Sequence, residues 1–135
     1  MNKSDVLVQF QGSIEAKGCT LEKINTFNYT IHNYTTVSWA EKRTKLGKFF
    51  IQEKGVKFAF DFPVNYFSLE ELKELVDFPY TDDPANTNVS YLNCSINKDK
   101  FDTLRVRVIN EDLSDFNFTG DKFKRLLQLI ISANN

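Results

Sequence analysis

The chain has 135 residues, 41% hydrophobic and 26% charged, a globular composition at the size of one domain that excludes whole-chain disorder. Seventeen basic against eighteen acidic residues leave a net charge of −1, too little for a global field that draws polyanions or membranes. Thirteen phenylalanines supply large side chains with no polar handle, and they are expected to build the core.

Cys19 and Cys94 stand in unrelated contexts, neither in a CxxC pair nor near a histidine, so two buried thiols are expected rather than a metal or redox centre. No run approaches the roughly 20 apolar residues of a membrane-spanning helix. Met1-Asn2-Lys3-Ser4-Asp5 lacks the apolar stretch of a secretory signal, so a cytoplasmic protein is expected. Six N-x-[ST] triplets begin at Asn2, Asn28, Asn33, Asn88, Asn93 and Asn117. They are read as a by-product of an Asn-rich composition.

In chain order, residues 6–16 alternate, with Val6, Val8, Phe10 and Ile14 on one side and Gln9, Gln11, Ser13 and Glu15 on the other. That spacing predicts a half-buried strand. Residues 19–26 read as a connector with a helical turn around Leu21 and Ile24. A second alternating run over 28–39 places Tyr29, Ile31, Thr35, Val37 and Trp39 opposite Asn28, Thr30, His32, Tyr34 and Thr36. Residues 48–62 read as a hairpin turning at Glu53-Lys54-Gly55, with Val56, Phe58, Phe60 and Phe62 on one face, and Gly55 is expected to supply a positive φ. Pro63, which has no amide hydrogen, ends it.

A short helix is expected at about 69–77, opened by a Ser68/Glu71 capping box and a Phe67–Leu72 staple. Residues 77–87 form an acidic loop broken by Pro79 and Pro84. Strands at about 88–96 and 103–110 form a second hairpin, and 111–118 is a further acidic connector. The C-terminal segment carries the strongest helical signal: Thr119 as cap, Phe118 stapled on Phe123, then Phe123, Leu126, Leu127, Ile130 and Ile131 at helical spacing. The expected fold is α+β, an antiparallel sheet of about five to six strands with the C-terminal amphipathic helix and the short second helix packed on one face. One domain spans 1–135.

Chemistry is sparsely encoded. The single histidine, His32, is expected on the polar side of a strand, and its spacing to Cys19 or Cys94 suggests no nucleophile–base pair. There is no clustered metal-ligand motif, phosphate-binding glycine loop or nucleophile elbow. No enzyme activity, metal or cofactor is therefore expected, and binding is the remaining class. The first expectation is a protein-binding module of the kind represented by small immunity proteins or anti-defence inhibitors, its partner a toxin, nuclease or defence factor. It would dock through Phe78, Tyr80, Asp82, Asp83, Glu111, Asp112, Asp115 and Phe116, where acids supply specificity and aromatics anchor.

The alternative is a single-stranded RNA or DNA binder using Lys42, Arg43, Lys45, Lys48, Lys54, Lys57, Arg105 and Arg107. Residues 41–60 interleave basic and aromatic side chains, and Lys54-Gly55-Val56-Lys57-Phe58-Ala59-Phe60 in part resembles the RNP1 pattern. It departs from that pattern at its third and fourth positions, and Asp61 stands where a second stacking ring belongs. Val56, Phe58, Phe60 and Phe62 also read as a core face, whereas a stacking ring must be exposed. A third alternative is a self-assembling structural subunit, such as a homodimer formed through the C-terminal helix or a sheet edge.

Overall fold

The computed structural model describes residues 2–37, 40–63, 70, 80–83, 85, 86, 88–96, 101–115 and 117–134. In chain order these form helix α1 (Lys3–Glu15), strands β1 (Cys19–Lys23), β2 (Asn28–Val37), β3 (Ala40–Gln52), β4 (Gly55–Pro63), β5 (Tyr91–Ile96) and β6 (Phe101–Ile109), a 3-10 turn at Asn110–Asp112, and helix α2 (Asp121–Asn134). The strands make one six-stranded sheet in the order β1-β2-β3-β4-β6-β5, every pairing antiparallel. The α+β class, the antiparallel sheet and the terminal helix are as the sequence suggests. The short helix expected at 69–77 lies outside the described residues, apart from residue 70.

Residues 6–16 are the main correction, for they belong to helix α1 rather than a strand. Val6, Phe10 and Ile14 fall at i, i+4 and i+8, a spacing that suits both periods. Val8 separates the two, since a strand would bury it with Phe10 and here it is 69% exposed. Ser13, on the polar side of the supposed strand, is buried, and its hydroxyl donates to the Phe118 carbonyl at 2.6 Å. The local start signal is Asn2, whose Oδ1 accepts from the Asp5 amide at 2.9 Å, with an acid in the first turn. Gly18, at φ +80°, ends the helical path in the left-handed region that glycine enters without penalty.

Two further differences concern the sheet. Cys19–Lys23, expected as a connector, is an edge strand paired in register with residues 29–33. Strand β3 begins at Ala40 rather than near 48, so the basic segment 42–48 is sheet. Its pairing with β2 shifts at Ile31/His32, where Leu46 is the unpaired residue and Gly47 the next partner. Such a bulge re-aims the residues before it. Gly55 opens β4 with a positive φ of +158°, as expected, and a Cβ there would also overlap the Val108 carbonyl of the adjacent strand.

One sheet face is buried under both helices. Phe58, Phe60 and Phe62 of β4, Phe49 of β3, Ile31 of β2 and Leu104, Val106 and Val108 of β6 all point into it. The ring of Phe10 lies 4.4 Å from that of Phe49, 5.6 Å from Phe58, 5.6 Å from Phe118 and 5.8 Å from Phe123. It therefore joins α1, the sheet, the turn before α2 and α2 itself. In α2 the expected residues are the buried ones, and Phe118 does pack on Phe123, at 5.2 Å and 85°. The amide and hydroxyl of Thr119, the expected cap, both donate to Asn117 Oδ1. Phe27 and Phe50 stand outside this core, the former 59% exposed and the latter half-buried.

Phe10→Ala should cost about 3–5 kcal/mol in urea unfolding, the range for deleting a core ring. Gly12→Ala should raise stability by about 0.5–1 kcal/mol, because this exposed mid-helix site has open space around its missing Cβ.

Candidate nucleic-acid interface on the open sheet face

Side chains alternate across a strand, so burying Phe58, Phe60 and Phe62 turns Lys57, Ala59 and Asp61 to the opposite face. The described helices cover the first face, and the second carries Lys45, Lys48, Lys57, Arg105 and Arg107. Cross-strand register arranges them in rows. One row runs Tyr91, Arg107, Lys57, Phe50, Asn28 from β5 to β2. The next contains Arg105, Ala59, Lys48 and Thr30. A third pairs Thr103 with Asp61. Beyond the bulge, Lys45 is opposite His32.

Like charges set directly opposite in an antiparallel pair are destabilising, and Lys57 is directly opposite Arg107. Its ammonium is held below the usual lysine range by partial burial first, then by Arg105 and Arg107. Both cations lean on rings: Lys57 Nζ is 6.0 Å from the centre of Phe50, and the Arg107 guanidinium 5.4 Å from that of Tyr91. Arg107 also donates to the Asn86 carbonyl at 3.0 Å. Around Ala59 the face dips into a shallow, open depression of about 360 Å³, whose lining includes Lys45, Lys48, Phe50, Lys57, Asp61 and Arg105.

Of the eight basic residues singled out in the sequence, Lys45, Lys48, Lys57, Arg105 and Arg107 thus share this face. Arg43 lies at its margin, with Nη1 3.7 Å from Glu22 Oε2. Lys54 is in the β3–β4 turn, and Lys42 alternates to the other side of β3. Tyr91, Ala59, Asp61 and Thr103 complete the surface and were not singled out as contributors. Only the register, which composition does not reveal, places them there.

The acidic candidates gather elsewhere. Ser90 joins the two acidic segments, for its carbonyl accepts from the Thr81 amide at 2.7 Å and its hydroxyl donates to Asp112 Oδ2 at 2.5 Å. That hydroxyl also accepts from the Ile109 amide at 3.1 Å. Asp82, Asp83, Glu111 and Asp115 are exposed, while Tyr80 is half-buried and packs against the core. Phe78 and Phe116, the other expected anchors, lie outside the described residues.

His32 is on the open face, as the alternation suggests, but only 5% exposed. Its Nδ1 lies 3.3 Å from Glu22 Oε2, an ion-pair distance without hydrogen-bond alignment, since Nδ1 has no hydrogen-bond partner among the described residues. Burial, then the Arg43 charge, hold its pKa below the usual histidine value; Glu22 acts against them and Lys45 adds to them. Cys19 pairs with Asn33 in the ladder, next to the Thr20–His32 pair, so thiol and imidazole point to opposite faces. Cys19 is a free thiol with its pKa pushed up to about 11 by burial, which disfavours the reactive thiolate. The Cys94 side chain lies outside the described residues.

Among the described residues, no group of three or more His, Cys, Asp or Glu is placed to hold a metal, and no helix is long and apolar enough to cross a membrane. Asn33 is buried, which closes that triplet to a glycan in the folded protein. Asn2 is occupied as a helix cap. Comparison with protein-family models, curated proteins and solved structures finds no match to this chain.

The depressed His32 value sets a pH dependence. Below the unfolded-state pKa of about 6.5 the unfolded chain binds the proton more readily, so stability falls as pH drops through that value towards the lower folded one. Urea midpoints at pH 7.5 and pH 5.5 should fall by more in the wild type than in His32→Gln.

Proposed function

We propose that this protein is a non-catalytic, cytoplasmic module that binds single-stranded nucleic acid on the open face of its sheet. The observation that carries this reading is the cross-strand row in which Lys57 and Arg107 are directly opposed between the rings of Phe50 and Tyr91. A fold that sets two half-buried cations side by side, on a face that no described helix covers, gains when an anion bridges them. A phosphate backbone supplies such anions at regular intervals, and aromatic side chains supply sequence-tolerant stacking. Phe50 is the accessible ring, since Tyr91 lies beneath Arg107. The rings of Phe58 and Phe60, which the partial RNP1 resemblance would offer, are core. The interface would thus be chiefly electrostatic.

Anisotropy of a labelled 12-residue single-stranded oligonucleotide, titrated from 50 to 300 mM salt, tests this directly. If the five cations Lys45, Lys48, Lys57, Arg105 and Arg107 each meet a phosphate, log affinity should fall against log salt with a slope of about −3.5, at roughly 0.7 per phosphate. Lys57→Glu should weaken binding more than tenfold while leaving the fold intact or slightly more stable, because it replaces a like-charge pair with Arg107 by an opposite one. No binding at 50 mM salt, or binding indifferent to salt, contradicts the reading.

A second reading is a protein-binding module, inhibitory in the manner of an immunity or anti-defence protein, that uses the acidic end. What favours it is Ser90, which ties the Asp82/Asp83 and Glu111/Asp112/Asp115 segments into one surface. It expects Asp82→Lys with Asp115→Lys to abolish capture of a basic protein partner without changing oligonucleotide binding. Unchanged capture by that variant would refute it.

A further inference from the structure

The depression on the open face is built around a missing side chain. Ala59 is the centre of a small cross: Arg105 and Lys48 are its direct neighbours on the flanking strands, and Lys57 and Asp61 are the next outward-facing residues along its own strand. Four long or charged side chains around a single methyl group leave a notch, and the depression of about 360 Å³ is that notch. Its size is at the small end of ligand sites, which run from about 300 to 1,000 Å³. From Lys57 to Asp61 it extends roughly 13 Å at 3.3 Å per residue, longer than an isolated phosphate needs.

The notch is chemically polar from one end to the other. Lys57, Arg105 and Lys48 hold one end and the middle, with the Phe50 ring beside Lys57. Asp61 holds the far end, and among the described residues it is the carboxylate of the lining. Its Oδ1 accepts from Thr103 Oγ1 at 2.8 Å, which fixes its orientation. A carboxylate repels phosphate and accepts hydrogen bonds, so the two ends select opposite groups.

We propose that the notch over Ala59 is a subsite for one nucleotide unit, its phosphate held by Lys57, Arg105 and Lys48 and a hydrogen-bond donor of its sugar or base accepted by Asp61. The inference rests on the nucleic-acid reading above and adds to it a fixed place and direction for one unit of the strand. Non-specific backbone contact requires neither an acid nor a hollow. A ribose 2′-hydroxyl or an exocyclic base amine would each supply the donor.

The test compares wild type, Ala59→Leu, Ala59→Ser and Asp61→Ala, each checked by thermal unfolding, against 12-residue oligo(U), oligo(dU) and oligo(dC) at one salt concentration. Ala59→Leu fills the notch from the solvent side without changing charge, and should weaken oligonucleotide binding at least tenfold. Ala59→Ser leaves the notch open and should bind as the wild type does. Asp61→Ala removes a repelling charge and should raise all three affinities, so the readout is their ratios. A change of about threefold or more in oligo(U) over oligo(dU) identifies the 2′-hydroxyl as the donor, and a similar change in oligo(dC) over oligo(dU) identifies the base amine. Wild-type affinity in a folded Ala59→Leu, or both ratios unchanged in Asp61→Ala, overturns the subsite while leaving the general reading standing. Failure of the wild type to bind any of the three overturns both.

Discussion

The ring of Phe10 governs the layout of the molecule. It touches Phe49 and Phe58 of the sheet, Phe118 in the turn before α2 and Phe123 within it, so the two helices, from opposite ends of the chain, are drawn onto the same face. Edge-on and tilted packing of such rings adds a fraction to about 1.5 kcal/mol per pair beyond the area they bury. The consequence for function is geometric. Both described helices lie on one side of a six-stranded sheet, and on the other side Lys45 and Lys48 are exposed while Lys57, Arg105 and Arg107 are half-buried.

Strand alternation then converts a buried phenylalanine pattern into a basic surface. Each inward Phe58, Phe60 or Phe62 forces its neighbours Lys57, Ala59 and Asp61 outward, and β6 does the same with Leu104, Val106 and Val108 against Arg105 and Arg107. Core and surface are therefore one pattern read from two sides. A one-residue slip of β4 against β6 would expose the aromatic core and bury the cations together. The opposition of Lys57 and Arg107 is a cost fixed by the same register that secures the core.

Much of the fold was legible in the sequence because its strongest elements repeat one period without ambiguity. The β3–β4 hairpin and the C-terminal helix, with Phe123, Leu126, Leu127, Ile130 and Ile131, are of this kind. The N-terminal segment was misread because Val6, Phe10 and Ile14 satisfy both periods, and only the exposure of Val8 and the cap at Asn2 decide between them. Strand β1 has few apolar residues, because an edge strand needs fewer, and its pairing is set by contact with β2. For the candidate site, the residue types Lys48, Lys57, Arg105 and Arg107 were legible as a basic set. Their convergence depends on strand order β3-β4-β6 and on the bulge at Leu46, which are properties of pairing rather than of any local run. The notch over Ala59 was illegible for the same reason: a small residue means little until its four neighbours are known.

The sheet face that no described helix covers, rather than the helices or the acidic end, is the proposed working surface. Backbone amide chemical-shift mapping during titration with a single-stranded oligonucleotide tests it most directly. The expected result is a contiguous set of perturbed amides at Lys48, Phe50, Lys57, Ala59, Arg105 and Arg107, with α1 and α2 unaffected. Perturbations confined to the basic side of α2 at Lys122, Lys124 and Arg125, or to the segments around Asp83 and Glu111, would contradict it.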